Sequence, residues 1–411
     1  MPNAILLKKY AELTVKVGVN VQKEQPVVIR ATTETKEFVR ALTTAAYEAG
    51  AKYVYVQWSD DYVGRDTYLH AKVEDLEYVP NYVIEQQKYF LEQGACFISV
   101  TSPVPGLNAV LDPVKVQRAS VANQKALSFF QTFVMGNKTQ WVVVAAPNQV
   151  WAEQVFTNLK GTEAVEALWD AIFSASRVTL ENDPIEAWNE HNKTLAKHSE
   201  LLNKLNFKSL HFKNSLGTDL TVELVKNHIW AAGGEVSATG VYFNPNIPTE
   251  EAFTMPYKFG TKGRVYATKP LNYQGRLIDG FWLEFKDGKV VDFDAEKEKD
   301  TLKNIIEADQ NSAYIGEIAL ISHDSPISNT NILFLNTLFD ENASCHMALG
   351  RAYPMNIKGG LEASIEELEK QGYNHSIVHV DFMFGSSDME IIGEQYDGSK
   401  VKIFENGNFI I

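Results

Sequence analysis

The first half of the chain alternates unbroken apolar segments with amphipathic ones, and this alternation constrains the fold more than any other feature. PVVIRA (26–31) reads as a buried strand, ETKEFVRALTTAAYEAGA (34–51) as a helix with one apolar face, and KYVYVQW (52–58) as the next strand. A strand–helix–strand unit requires parallel strands joined by a right-handed crossover. Strands without polar alternation are buried on both faces, so the pattern predicts an open parallel sheet covered by helices.

The same alternation continues to about residue 200, and we expect a sheet of four or five strands. Further helices and strands are predicted at 81–93, 95–102, 112–128 and 140–147. The first strand is followed by Thr32, Thr33 and Glu34, not by a glycine-rich phosphate loop. A nucleotide site is therefore not indicated.

The sequence pattern changes near residue 207, where hairpins replace the strand–helix alternation. Three segments contain glycine turns between strand-like runs: LHFKNSLGTDLTVEL (210–224), FWLEFKDGKVVDFDA (281–295) and YDGSKVKIFENGNFII (396–411). The prediction is an α/β protein with an open parallel α/β sheet domain over 1–200. A mixed, largely antiparallel, β-rich α+β domain is predicted over 201–411.

Composition excludes several classes of partner. A net charge of −14 argues against nucleic acid or an anionic membrane surface as the main partner, and it suits the binding of cations. The longest dense apolar run, 141–147, is far too short to span a bilayer. The N-terminus lacks a signal-peptide pattern, and two cysteines cannot build a disulfide framework or a thiolate zinc site. We expect a cytoplasmic protein.

The stretch HSIVHVDFMFGS (375–386) contains two polar residues inside a strand pattern. Because side chains alternate along a strand, His379 and Asp381 share one face and Val380 takes the other. Burying an imidazole beside a carboxylate is costly unless both are satisfied. An Asp–His hydrogen bond or a metal ion would each satisfy them.

Other polar residues interrupt apolar stretches in the second half in the same way. They are Glu250 and Glu251 in NIPTEEAFTMP, Glu317 in IGEIALIS, and Glu341 with His346 in LFLNTLFDENASCHMALGRAYP. Singly, each fits a strand edge, a salt bridge or a satisfied core histidine. Adjacent side chains of an extended segment diverge, so only one of Glu250 and Glu251 can face a common site. Together these carboxylates would repel one another unless cations neutralised them.

At these residues the chain resembles the aminopeptidase T / aminopeptidase S family of thermophilic-type metallo-aminopeptidases. The matching motifs are NIPTEEAFTMP, GEIALIS with SPIS, LFDENASCHMALGRAYP and HVDFMFGS, and the resemblance covers essentially the whole chain. It implies six metal ligands: Glu251, Glu317, Glu341, His346, His379 and Asp381. It also implies an active-site tyrosine at Tyr353 and a homodimer.

The resemblance implies a metal-dependent aminopeptidase that acts on peptides with a free N-terminus. Oxygen and nitrogen ligands without thiolate suit Zn²⁺, Co²⁺ or Mn²⁺, and six ligands suit two divalent ions per chain better than one tetrahedral ion. Glu317 is the predicted general base. Tyr353 would donate a hydrogen bond to the oxyanion; without the resemblance it reads as a packed aromatic beside Pro354.

Two other functional classes remain compatible with the same residues. One is a different dinuclear metal amidohydrolase acting on a non-peptide amide. The other is a non-catalytic metal-binding protein, which the presence of Tyr353 beside the full ligand set disfavours.

Overall fold

The structure, a computed structural model, describes residues 2–411. It divides into two compact units. The first comprises residues 2–189 and Gly234–Pro248, and the second Glu190–Gly233 and Thr249–Ile411. The boundary placed after residue 200 stays a prediction, and it did not anticipate the assignment of Gly234–Pro248 to the first unit.

A parallel sheet forms the centre of the first unit. Its four strands are β1 (Val27–Thr32), β2 (Val54–Ser59), β3 (Cys96–Thr101) and β4 (Trp141–Ala145). Their order is β2–β1–β3–β4, and every neighbouring pair is parallel. Ile29 of β1, opposite Val56 and Ile98, is fully buried because helices cover the sheet. The predicted parallel α/β sheet is confirmed.

Helices connect these strands and continue beyond them. They are α1 (Ala4–Leu13), α2 (Lys36–Glu48), α3 (Asp61–His70), α4 (Val73–Leu76), α5 (Asn81–Glu92), α6 (Pro113–Ala126), α7 (Ser128–Met135), α8 (Gln149–Val155), α9 (Gly161–Ala175) and α10 (Pro184–Leu205). A π-helical turn at Thr14–Gly18 extends α1, and 3₁₀ turns lie at Thr33–Thr35 and Leu107–Val110.

Helix α3 was not predicted from the sequence. None of its side chains is buried, so the sequence carries no apolar stripe to reveal it. Its start depends on Asp60, whose side chain accepts the backbone N–H groups of Tyr62 and Val63.

The rest of the chain is rich in strands, as predicted. They are β5 (Ser209–Lys213), β6 (Asp219–Leu224), β7 (Ala231–Ala232), β8 (Glu235–Val236), β9 (Tyr242–Phe243), β10 (Ala252–Thr254), β11 (Pro256–Tyr266), β12 (Leu271–Tyr273), β13 (Arg276–Ile278), β14 (Trp282–Lys286), β15 (Lys289–Asp294), β16 (Ile315–Leu320), β17 (His346–Gly350), β18 (His379–Met383), β19 (Glu390–Glu394), β20 (Lys400–Glu405) and β21 (Asn408–Phe409). Strands β8 and β9 pair within the first unit.

An eight-stranded antiparallel sheet, ordered β15–β14–β11–β6–β5–β19–β20–β21, spans the second unit. The β14–β15 hairpin turns at Asp287 and Gly288, whose φ angles of 49° and 80° suit the tight turn predicted there. A Cβ atom at Gly288 would approach the carbonyl oxygen of Lys258 to 1.9 Å, so only glycine fits. The predicted antiparallel character of this half is confirmed.

A second antiparallel sheet, ordered β18–β17–β16–β10–β7, packs against the first. One of its faces contributes Ile318, Met347 and Phe382 to the main hydrophobic core. The rings of Phe281 and Phe382 lie 5.4 Å apart in that core. The opposite face of this sheet carries the polar residues described below.

Short helices complete the second unit: α11 (Lys299–Ile306), α12 (Pro326–Asn329), α13 (Thr337–Asp340) and α14 (Ile365–Lys370). 3₁₀ turns lie at Glu341–Ala343 and Pro354–Asn356. Among residues 2–411, no helix combines the length and apolarity that a membrane crossing requires.

Candidate metal centre

Strand register gathers most of the polar residues on one face of the five-stranded sheet. Asp381 on β18 lies opposite Ala348 on β17, and Ala348 lies opposite Glu317 on β16. His346 and His379 are each two residues from a member of this row, so they share its face. We call this surface, which bears Glu317, His346, His379 and Asp381, the metal face.

Glu251 joins the metal face from the segment before β10. Its Oε2 atom lies 3.2 Å from Nε2 of His346, and Oε1 of Glu317 lies 3.4 Å from the same nitrogen. All three residues are buried, with His346 only 1% exposed. They form a first group of donor atoms that lie within 4.8 Å of one another.

A second group lies on the other side of Glu317. Its Oε2 atom is 3.6 Å from Nε2 of His379, which is 3.3 Å from Oδ1 of Asp381. These three residues also offer donor atoms within 4.8 Å of one another. The two oxygens of the Glu317 carboxylate therefore lie in two separate groups of donor atoms.

The chemistry of these donors fits metal ions. Within residues 2–411, the ion-pair partners of Glu251, Glu317 and Asp381 are histidines alone. The Oδ1 atom of Asp381 is buried and has no hydrogen bond of ordinary geometry in that range. Buried carboxylates without lysine or arginine need another source of positive charge, which divalent ions can supply.

The raised pKa values of the two imidazoles show that the nearby carboxylates favour positive charge at this site. Burial opposes protonation of His379, but Asp381, Glu317 and the carbonyl of Arg351 together outweigh burial and raise the histidine pKa to about 10. Burial also opposes protonation of His346, yet the carboxylates of Glu251 and Glu317 hold its pKa well above the ordinary value. Protonated imidazoles can therefore balance the carboxylates until metal ions displace the protons.

Glu341 lies close to these groups but belongs to neither. It begins a 3₁₀ turn directly after α13. Burial raises its pKa well above the ordinary value, and the carboxylates of Asp381 and Glu251 add to the effect. Among the predicted ligands, it is the one whose contact with the donor groups is electrostatic rather than direct.

The structure separates Glu250 from Glu251, as expected for neighbours in an extended segment. Oε2 of Glu250 lies 3.7 Å from Nε2 of His191, away from the two donor groups. The backbone N–H of Glu250 donates to Oδ1 of Asn342, at 2.8 Å. Sequence reasoning missed both His191 and Asn342, because neither interrupts an apolar strand.

Tyr353 lies beside the second donor group. Its ring centroid is 4.7 Å from that of His379, and the ring of Phe253 lies 6.4 Å away in an edge-to-face arrangement. Burial, reinforced by nearby carboxylates such as Glu317, holds the pKa of Tyr353 well above its ordinary value. The phenol therefore remains a hydrogen-bond donor at neutral pH.

A backbone carbonyl orients His379. Nδ1 of His379 lies 2.6 Å from the carbonyl oxygen of Arg351 and donates to it. This bond leaves Nε2 facing the carboxylates, which is the orientation that a metal ligand needs. His375 lies apart from the donor groups, with its Nδ1 atom 3.9 Å from Glu369.

The family described as Thermophilic metalloprotease (M29) matches residues 4–409 of the chain. The chain belongs to this family.

Its M29 relatives match along nearly their whole length. Aminopeptidase 2 of Geobacillus stearothermophilus is 46% identical over 403 residues, which cover 98% of this chain and 97% of the relative. Aminopeptidase T of Thermus aquaticus is 38% identical over 409 residues and 98% of both chains. The solved structure of wild-type AmpT from Thermus thermophilus has a TM-score of 0.92 at 37% identity and covers 99% of both chains.

These comparisons confirm the family resemblance and the fold class that the motifs predicted. Since the family is one of metalloproteases and its relatives are aminopeptidases, the chain is a hydrolase that acts on peptides. The predicted enzyme class, a metallo-aminopeptidase, is confirmed on this ground.

Proposed function

We propose that this M29 enzyme removes N-terminal residues from peptides with two divalent metal ions bound on the metal face. The carboxylate of Glu317 carries the proposal. Its Oε1 atom lies 3.4 Å from Nε2 of His346, and its Oε2 atom lies 3.6 Å from Nε2 of His379. A carboxylate placed between two donor groups is suited to bridge two metal ions.

The residues divide between two ions as the two groups suggest. Glu251 and His346 would hold one ion, His379 and Asp381 would hold the other, and Glu317 would be shared. Oxygen and nitrogen donors without thiolate suit Zn²⁺, Co²⁺ or Mn²⁺. When bound, such ions lower the pKa of water towards neutrality and polarise the scissile carbonyl.

Glu317 and Glu341 are the two candidates for the general base. Glu317 is the residue predicted from the sequence, but both of its oxygens face donor groups. Glu341 belongs to neither group, and burial, with the nearby carboxylates of Asp381 and Glu251, raises its pKa and so makes it a stronger base. Glu341 therefore keeps an oxygen free to take a proton from water and pass it to the leaving amine.

Tyr353 supplies a neutral hydrogen-bond donor beside the second group. Its phenol can donate to the oxyanion that develops on the substrate carbonyl. The contacts of its ring with Phe253 and His379 hold the hydroxyl in place, so little reorganisation accompanies the reaction.

The negative charge around the centre favours substrates with a free α-amine. The carboxylates of Asp381 and Glu251 lie close enough to Glu341 to add to the rise of its pKa. A protonated N-terminus is attracted by such a cluster, whereas an acetylated one is not. This is the physical basis for proposing exopeptidase action on peptide N-termini.

The decisive experiment is a metal-reconstituted assay. The protein is stripped with a chelator, reloaded with Co²⁺ or Zn²⁺, and tested on aminoacyl anilides with free and with acetylated amines. We expect two ions per chain, loss of activity on stripping, and turnover of the free amines only. Saturation at one ion per chain would exclude the two-metal version.

The same assay separates the rival functions. Equal turnover of free and acetylated anilides would indicate another dinuclear amidohydrolase. Metal binding without turnover of any substrate would indicate a non-catalytic metal-binding protein.

Two further proposals concern the protein as a whole. We propose a homodimer, because helices α3 and α4 of the first unit bury none of their own side chains. We also propose a cytoplasmic location. Both cysteines are free and buried, and proteins of the reducing cytoplasm rarely contain disulfides. Cell fractionation tests the second of these proposals.

A further inference from the structure

The pairing of β16 with β17 contains one extra residue. Ile315 lies opposite Leu349 and Glu317 lies opposite Ala348, which leaves Gly316 without a partner across the strands. One residue inserted in this way is a β-bulge.

The bulge decides which face Glu317 occupies. Ile315 and Ile318 both point into the main core, although a regular strand would place residues three apart on opposite faces. Without the extra residue, Glu317 would share the face of Ile315 and lie in the core. A shift of one residue turns every later side chain to the other face.

Gly316 also lies so close to the backbone at the end of β17 that no side chain fits at this position. A Cβ atom there would lie 2.3 Å from the carbonyl oxygen of Arg351 and 2.4 Å from that of Gly350. The oxygen of Arg351 is the atom that accepts the hydrogen bond from Nδ1 of His379. A side chain at 316 would therefore displace the acceptor that orients this imidazole.

We propose that Gly316 is a positioning residue of the metal centre. Its bulge turns Glu317 onto the metal face, and its lack of a side chain lets the Arg351 carbonyl hold His379 with Nε2 towards Glu317 and Asp381. This inference rests on the two-metal site proposed above, because it assigns Gly316 an effect on metal affinity.

The test is the substitution Gly316→Ala, with Co²⁺ titration as the readout. Changes next to a metal ligand weaken metal affinity by about 10–100-fold. We expect a loss of this size for the ion of the His379–Asp381 group. The ion of the Glu251–His346 group should be affected less, and far-ultraviolet circular dichroism should remain unchanged.

Gly64→Ala provides the matched control. A Cβ atom at Gly64 meets nothing within 4 Å, and the residue lies in helix α3 of the first unit. This variant should bind both Co²⁺ ions as the unmodified protein does. If the unmodified protein binds two ions and Gly316→Ala binds both with the same affinities, the role of Gly316 is disproved while the two-metal site stands. If the unmodified protein binds fewer than two, the proposed function itself fails.

Imidazole ¹⁵N spectra of the Zn²⁺-loaded unmodified protein give a measurement that does not depend on whether the variant folds. The His379 signal, identified by its absence in His379→Asn, should show a proton on Nδ1 and Zn²⁺ binding at Nε2. In Gly316→Ala the same signal should show a mixture of tautomers. A proton on Nε2 instead of Nδ1 in the Zn²⁺-loaded unmodified protein would overturn the proposal.

Discussion

At the scale of single residues, Asp381 provides the sharpest test of the metal centre. Its Oδ1 atom lies 3.3 Å from Nε2 of His379 and has no hydrogen bond of ordinary geometry within residues 2–411. Asp381→Asn keeps the shape of the side chain but removes its negative charge. We expect metal content to fall and kcat/KM to drop by about 10–100-fold or more, since even changes beside a ligand cost that much.

Val380→Ala is the control for Asp381→Asn. Val380 lies on the opposite face of the same strand, in the core. Its truncation should lower the free energy of unfolding by on the order of 2 kcal/mol and leave metal content intact. Normal metal content and turnover in Asp381→Asn would mean that the His379–Asp381 pair is structural.

Tyr353 tests catalysis separately from metal binding. Tyr353→Phe keeps the contacts of the ring with Phe253 and His379 and removes only the hydroxyl. Loss of one donor to an oxyanion typically lowers kcat by about 10²–10³-fold, so we expect a fall of this order with unchanged metal content. An unchanged kcat would leave Tyr353 with a packing role alone.

At the scale of elements, strand β17 combines two different faces. Ala348 lies on the metal face between Asp381 and Glu317, while Met347 lies in the core. Ala348→Leu should fill the space between these carboxylates and abolish metal binding, as measured by elemental analysis. Met347→Leu nearly conserves volume, so it should cost less than about 1.5 kcal/mol of stability and keep both ions. Two bound ions in Ala348→Leu would show that the metals lie elsewhere.

Asp388, in the loop before β19, should make a pH-dependent contribution to the free energy of unfolding. Hydrogen bonds from Ser215 and from Ser386 lower the pKa of Asp388 to about 2. Because the folded pKa lies below the unfolded value of about 3.9, the contribution is complete above about pH 5 and is lost as pH falls towards 2.

Urea unfolding of Asp388→Asn at several pH values measures this contribution. The difference in free energy of unfolding from the unmodified protein should be largest above pH 5 and shrink steadily towards pH 2. A difference that is independent of pH would show that Asp388 contributes only its shape.

At the scale of the whole molecule, the first unit exposes large apolar side chains. Val63 is 65% exposed and Val114 is 63% exposed, and Tyr78 and Tyr82 are 70% and 74% exposed. We propose these exposed side chains as part of the interface of the proposed homodimer.

We therefore expect light scattering to give a mass near twice 46.1 kDa. The double change Val63→Asp and Val114→Asp should shift the protein towards monomers without unfolding it, because both side chains are exposed. A monomeric unmodified protein would refute the homodimer.

Sequence reasoning predicted the local elements well because their signals are local. The apolar runs at β1 and β3, the amphipathic helix α2 and the Asp287–Gly288 turn all depend on residues close together in the chain. Helix α3 was missed because it buries no side chain and so carries no periodic signal.

Sequence alone also determined which residues interrupt apolar strands, and that His379 and Asp381 share one face, because alternation along a strand is a property of the strand itself. Only the tertiary structure decided what those residues meet. Strand pairing across long separations places Glu317 between His346 and His379, and the bulge at Gly316 sets the face from which Glu317 reaches them. Register between strands depends on contacts between distant segments, and no single segment contains that information.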